Sequence, residues 1–370
     1  MTRAPSLIES PDSPELESVC RRLRDLSSAD ANEFADSRIA LTDRWPSRQL
    51  ELVAQSGVYY WFIPKSLGGM GWSGADIVSG YIQLASACLT TTFVITQRVA
   101  AIARICSFGN EEIRDTLLPG LLSGFEPATV GISHLTTSRQ HVGEPVLKAT
   151  ETEQGFIING FSPWVTGAAG ASYLMMGAEL GDGRQILFVV PANAPGVKIE
   201  PGFELVALTG SQTGPVKLND VIVSRQSVLA GPVESVLLTG PAPSTGSFQT
   251  SALATGLTQS AIDFIASESI NRPDLRSNLA ALEEQQAEIK QRLFKLASGV
   301  PVCSKEELRT DANSLVLRAT QSALVAAKGA GYVRGHPVGR WCEEALFFLV
   351  WSCPQSVLNA NLCEFAGIDG

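Results

Sequence analysis

Residues 128–168, ATVGISHLTTSRQHVGEPVLKATETEQGFIINGFSPWVTGA, decide how the rest of the chain is read. Ala128–Ser133 reads as a strand, from its apolar and β-branched alternation. Gly155–Ile158 reads as another, leading through Asn159–Gly160, a hairpin-turn signal, to an extended piece at Pro163–Val165. Trp164 and Thr166 stand two apart, hence on one face of that extended segment. An indole face and a hydroxyl on one side of a strand can pack against and hydrogen-bond a flat ring with polar edges. The same pair is also what a core tryptophan beside a surface threonine looks like.

Before this stretch the chain reads as helices. Leu16, Val19, Leu23 and Leu26 recur at helical spacing, and a second helix runs through Gln49–Val53 toward Gly57. Ser73–Asp76 opens a long apolar helix over Ile77–Leu89, and another spans Thr92–Ile105. Glu111 and Glu112 fall in the first turn of the next, where negative charge suits the helix dipole, and Pro119–Gly120 is expected to close it. After it come short strands at Tyr173–Ala178, Gln185–Val190, Val197–Glu200, Val206–Leu208, Thr213–Lys217 and Val221–Val223, with Gly181–Asp182–Gly183 as a hairpin turn. Their close spacing predicts an antiparallel barrel or sandwich. A Gly/Pro/Ser linker over 231–248 leads to four long helices near 248–270, 276–298, 305–328 and 339–365. Ser304–Glu307 has the spacing of a capping box at the third. The fold class is α+β multidomain: an N-terminal all-helical domain (1–127), a central β-domain (128–235) and a C-terminal four-helix bundle (245–370).

Composition narrows the function classes. The chain of 370 residues is 45% hydrophobic and 18% charged, enough apolar material for large cores. A net charge of −9 without any basic run argues against nucleic acid and against an anionic membrane surface. No apolar run is long enough to span a bilayer, and the N-terminal stretch lacks the apolar core of a secretory signal. The seven cysteines are odd in number and form no C-x-x-C pair, which suits free thiols in a cytoplasmic protein. The three histidines have no metal-ligand spacing, so no metal is expected.

Four segments together resemble the acyl-CoA dehydrogenase superfamily over about residues 45–365. SLGGMG (66–71) resembles the family's early glycine loop, and LPGLLSG (118–124) its LP-x-L-x-x-G. GFIINGFSPWVTG (155–167) resembles G-x-x-x-N-G-x-K-x-W-I-T/S-N, and LTGSQTGPVKLNDVIV (208–223) resembles G-x-R-x-S-x-T-x-x-V-x-F-x-D-V-x-V. The resemblance implies an FAD-dependent oxidoreductase that oxidises a CH–CH bond of an acyl thioester, acyl-CoA being the usual carrier. It implies a homodimer or homotetramer that hands electrons to an electron-transfer flavoprotein. Residue by residue, it implies that Ser133 bonds the flavin's pyrimidine edge, Trp164 covers its dimethylbenzene side and Thr166 bonds near N5. Thr137 or Ser138 would replace a serine that touches flavin and thioester. Arg272 would meet the pyrophosphate of a partner subunit's FAD, and Gly329 and Gly331 its adenosine.

The chain also departs from the family. The family removes the proton beside the thioester with the Glu of Y-E-G-T, and here Ser352–Cys353–Pro354 occupies that position. Serine without an activator is no base near neutral pH, and Cys353 is either a reactive thiol or a packed one. The first bundle helix, where some members carry the base, has no carboxylate before Asp263. Pro273 and Asp274 replace the residues that normally follow the Arg272 position, and His134 and Arg139 are new in the flavin loop. Three functions therefore stay open: an acyl thioester oxidoreductase with an unconventional base or none, a flavin monooxygenase on the same fold, or a degenerate flavin- or acyl-CoA-binding protein.

Overall fold

The computed structural model describes residues 7–34, 41–108, 110–136, 146–240 and 248–368. Five helices come first: α1 (Pro14–Phe34), α2 (Ser47–Gln55), α3 (Gly74–Ala87), α4 (Leu89–Ser107) and α5 (Glu111–Ser123). Eight strands follow: β1 (Ala128–Gly131), β2 (Leu147–Thr152), β3 (Gly155–Val165), β4 (Tyr173–Leu180), β5 (Gln185–Pro191), β6 (Val197–Ile199), β7 (Gly214–Ser224) and β8 (Val228–Val233). The C-terminal helices are α6 (Phe248–Ser269), α7 (Arg276–Ala297), α8 (Lys305–Gly331), α9 (Pro337–Ala345) and α10 (Gln355–Ala366). Among the described residues no helix is long and apolar enough to cross a membrane.

Local chemistry explains the helix starts. Ser73 Oγ accepts from Asp76 N at 3.2 Å while Asp76 Oδ2 accepts from Ser73 N at 3.2 Å, a full capping box on α3. At α8 only half of the expected box forms: Ser304 Oγ accepts from Glu307 N at 3.0 Å. Pro119 does not end α5, which continues to Ser123 and stops at Gly124 in the left-handed region, φ 70°. Helix α3 lies on α6 at such close range that a Cβ on Gly256 would stand 2.5 Å from the Ile82 carbonyl oxygen.

The β-domain is one mixed sheet, ordered β6-β7-β3-β2-β4-β5-β8, with β1 parallel to β4 off that path. It is neither wholly antiparallel nor a two-sheet sandwich, because β2 also pairs β4 in parallel. Asn159–Gly160 is not a turn. β3 runs straight through it, and the register against β7 shifts between Ile158 and Gly160. Gly160 sits at φ 121°, where a Cβ would be 2.1 Å from the Val146 oxygen. Asn159 reaches across to Asp220, donating to its carboxylate at 2.9 Å and accepting from its N–H at 2.9 Å. The pair staples a β-bulge, the other structure that favours Gly. Thr213–Lys217 and Val221–Val223 likewise belong to a single strand, β7, and Val206–Leu208 forms no strand. β1 ends at Gly131, so Ser133 begins a 3-10 turn.

Two cores divide at the sheet. One face, with Met175, Leu187 and Val189, joins a continuous core shared by the N-terminal and C-terminal helices. The other face, with Ile158, Leu174, Met176 and Phe188, closes on its own smaller core. Strands β4 and β5 are buried on both faces and accordingly read as unbroken apolar runs. The helix-facing side is therefore where sheet and helices can share a cleft.

The fourth bundle helix is broken. Helix α9 passes into a 3-10 turn at Leu346–Leu349, and α10 restarts only at Gln355. Pro354 cannot donate to a continuing helix, and Ser352 adopts φ 44°. Side chains of α8 take up the carbonyls this break exposes: Arg309 Nη2 donates to Trp351 O at 2.6 Å, and Asn313 Nδ2 to Phe348 O at 3.1 Å.

Just before the break, Glu344 is 4% exposed, with Arg340 Nε 3.8 Å from its carboxylate. Burial outweighs that arginine and pushes its pKa from 4.5 up to about 7. The folded chain thus binds this proton more tightly than the unfolded one. The associated stability is complete below 4.5 and is lost as pH rises through about 7. Glu344→Gln is expected to raise the unfolding free energy at about pH 8, by an amount on the order of 3 kcal/mol and with it the unfolding midpoint, and to change little near pH 5. A midpoint gain of the same size at both pH values contradicts this.

Candidate active site

Between the helix-facing side of the sheet and the helices lies a cavity of about 710 Å³. Helix α4 contributes one stripe at helical spacing: Phe93, Thr96, Gln97, Ala100, Ala103 and Arg104. The β-domain contributes Val130, Ser133, Trp164, Thr166 and Thr213, and the start of α6 contributes Gln249 and Thr250. The break after α9 supplies Phe347, Val350, Trp351 and Ser352. These four regions are far apart in sequence. The sheet brings the Trp164 segment to α4, and the α9–α10 break turns Ser352 toward both.

Trp164 is 46% exposed, so it is not a core tryptophan; its ring leans on Phe203 at 5.0 Å between centroids. Thr166 is buried, its Oγ1 2.9 Å from Thr213 Oγ1, which is in turn 2.8 Å from Ser211 Oγ. Thr129 Oγ1 donates to the Thr166 carbonyl at 2.7 Å and fixes that backbone. The Ser133 hydroxyl is buried at the cavity wall with no partner among the described residues. An unpartnered buried hydroxyl is costly unless a ligand satisfies it. Opposite, Phe93 meets Trp351 edge-on at 5.0 Å, and Phe347 stacks on Trp351 at 5.0 Å and 14°. The cavity thus offers flat apolar walls with hydroxyls along one side.

Two cavity residues carry charge, and the pattern of the sequence alone pointed to neither. Glu343 lines the cavity and is exposed. Arg104 is 6% exposed, and among the described residues its one hydrogen bond is Nη1 to the Ala100 carbonyl, 3.1 Å, in its own helix. Burial draws its pKa down to about 10, so it remains a cation at neutral pH. The signal available for Arg104 was a lone charge in the apolar run AAIARICSF, which also suits an ordinary cation near a helix C-terminus.

Ser133, Trp164, Thr166 and Ser352 come together at the cavity. Thr137, Ser138 and Arg139 lie outside the described residues. Arg272, Gly329, Gly331 and Cys353 are not in its wall. Arg272 donates to the Ala326 carbonyl at 2.7 Å and pairs with Asp274 at 3.3 Å. Helix α8 runs on to Gly331, with its kink at Lys328, φ 54°. Cys353 is a free thiol whose pKa burial raises, which disfavours the reactive thiolate. His134 is buried rather than solvated; its Nε2 is 2.8 Å from the Gly177 oxygen, and burial lowers its pKa. All seven cysteines are free, and no cluster of metal-ligating side chains occurs among the described residues.

The family model described as acyl-CoA dehydrogenase, N-terminal domain, matches residues 13–125. The probable acyl-CoA dehydrogenase YngJ of Bacillus subtilis (strain 168) is 22% identical over 352 residues, covering 90% of this chain and 92% of YngJ. The chain is similar to acyl-CoA dehydrogenases, over residues 13–125 by the family model and over most of its length by this relative. Solved structures share its fold. The glutaryl-coenzyme A dehydrogenase–glutaryl-CoA complex superposes with a TM-score of 0.78 at 18% identity, covering 96% of each chain. A Bacillus anthracis acyl-CoA dehydrogenase complexed with FAD gives 0.76 at 15% identity, covering 96% of this chain and 68% of that one. The superfamily layout of helices, sheet and helices is the one described above.

Proposed function

We propose that the cavity takes the isoalloxazine of FAD and an acyl thioester such as an acyl-CoA, and that the chain is an FAD-dependent oxidoreductase acting on a CH–CH bond of that acyl group. One observation carries the proposal: an exposed indole face, a buried threonine hydroxyl and a partnerless serine hydroxyl line a single cavity. Trp164 would cover one end of the ring. The Thr166 hydroxyl, held by Thr213, would donate to or accept from the ring's central edge, and Ser133 Oγ would gain its missing partner on the pyrimidine edge. FAD supplies a hydride acceptor when bound. The aromatic wall of Phe93, Phe347 and Trp351 keeps water from the acyl group.

Ser352 lines the cavity, and by the resemblance of its segment it would take the place of the superfamily's carboxylate base. Its hydroxyl orients and hydrogen-bonds, but takes no proton at neutral pH. The carboxylate in the cavity wall is that of Glu343, away from the Ser352 position and exposed, so ordinary acyl-CoAs are expected to react slowly. The chain is proposed to self-associate as a homodimer or homotetramer and to pass electrons to an electron-transfer flavoprotein. The exposed row Leu358, Leu362, Phe365 and Ile368 on and just past α10 supports self-association. Light scattering checks this, a monomer being the contrary result. The test of function is anaerobic addition of assorted acyl-CoAs to FAD-loaded protein. Slow bleaching near 450 nm (roughly the flavin band) by at least one of them supports the proposal; FAD-loaded protein that none of them bleaches contradicts it.

A further inference from the structure

Arg104 has no role in the reading above, and its surroundings call for a ligand. It is 6% exposed and lies in the cavity wall. Among the described residues no carboxylate pairs with it, and its single hydrogen bond leaves most of the guanidinium donors unused. Val99, Ala100 and Ala103 beside it are apolar. A buried cation without a counterion is unfavourable, and a planar anion that accepts two N–H bonds removes that cost.

Its place in the cavity says which part of a ligand would carry the anion. Phe93, at the other end of the α4 stripe, packs on Trp351, the neighbour of Ser352. Eleven residues of helix separate Phe93 from Arg104, or about 16 Å along the axis. The reacting carbon beside the thioester belongs at the Ser352 end. An anion at Arg104 then sits at the remote end of the acyl group.

We infer that the site selects acyl thioesters ending in a carboxylate, with Arg104 as the residue that binds it. The inference rests on the reading that the cavity takes an acyl thioester. Binding needs only the cation and the cavity, so it is separable from redox chemistry.

Calorimetry on the FAD-loaded full chain tests it, comparing adipoyl-, suberoyl- and sebacoyl-CoA with hexanoyl-, octanoyl- and decanoyl-CoA. In at least one pair of equal length the carboxylated thioester is expected to bind about tenfold tighter or more, the size of a charge-assisted hydrogen-bonded pair. In Arg104→Met that ratio is expected to fall to about one, and Arg104→Lys to keep part of it. Equal affinities within every pair in the unaltered chain overturn the inference, whether or not a variant folds. So does a preference that survives Arg104→Met, and so does loss of FAD in place of the preference, which would make Arg104 a reader of cofactor phosphate. The two readings fail differently. Carboxylate preference in protein that no acyl-CoA bleaches supports Arg104 and sinks the oxidoreductase. Bleaching by plain acyl-CoAs with equal affinities does the reverse.

Discussion

Ser352→Glu is expected to speed the bleaching of bound flavin by a plain acyl-CoA about a hundredfold or more. A positioned base contributes about that factor or a further hundredfold. The backbone is prepared for the change. Ser352 already holds a Cβ at φ 44°, so glutamate adds no strain that serine does not carry. The new carboxyl would enter a cavity walled by Phe347, Val350 and Trp351, and loss of water there raises carboxyl basicity. Stopped-flow absorbance under anaerobic conditions reads the rate. An unchanged rate in a variant that retains FAD would mean that Ser352 does not face the reacting carbon.

Phe348→Ala is expected to cost about 3–5 kcal/mol of stability, the usual range for a buried phenylalanine. Phe348 is 0% exposed and anchors the turn between α9 and α10. Its carbonyl receives the Asn313 bond, and its neighbours Phe347 and Trp351 form the cavity's aromatic wall. The variant should therefore unfold at lower urea and also bind FAD more weakly, since the wall moves with the turn. Unfolding by circular dichroism and flavin affinity are both read, and normal stability would remove Phe348 from the core.

These residues also show what could be read without coordinates. The β4–β5 hairpin was legible because Gly181–Asp182–Gly183 is a local signal between two apolar runs, and the structure pairs Met175 with Val189 as that turn requires. Asn159–Gly160 carried an equally good local signal and misled, because its partner, Asp220, lies 61 residues away. A bulge and a turn ask the same thing of glycine, and only tertiary pairing separates them. The fourth bundle helix misled similarly: apolar periodicity continues across 346–351, while the break depends on Pro354 and on carbonyls captured by Arg309 and Asn313 from α8. At the site, Trp164 and Thr166 were singled out by one motif (155–167) and Ser133 by the separate segment before it, and the three line one cavity. Arg104 was not singled out, because what sets it apart is the lack of a partner, which is a property of three dimensions.

The central claim is that the cavity is a flavin site, and equilibrium titration of the flavin-free chain with FAD tests it most directly. The account predicts saturable binding of one FAD per chain, weakened about tenfold by Trp164→Ala through loss of ring stacking. A chain that takes up no FAD, or binds it equally well without Trp164, would contradict it.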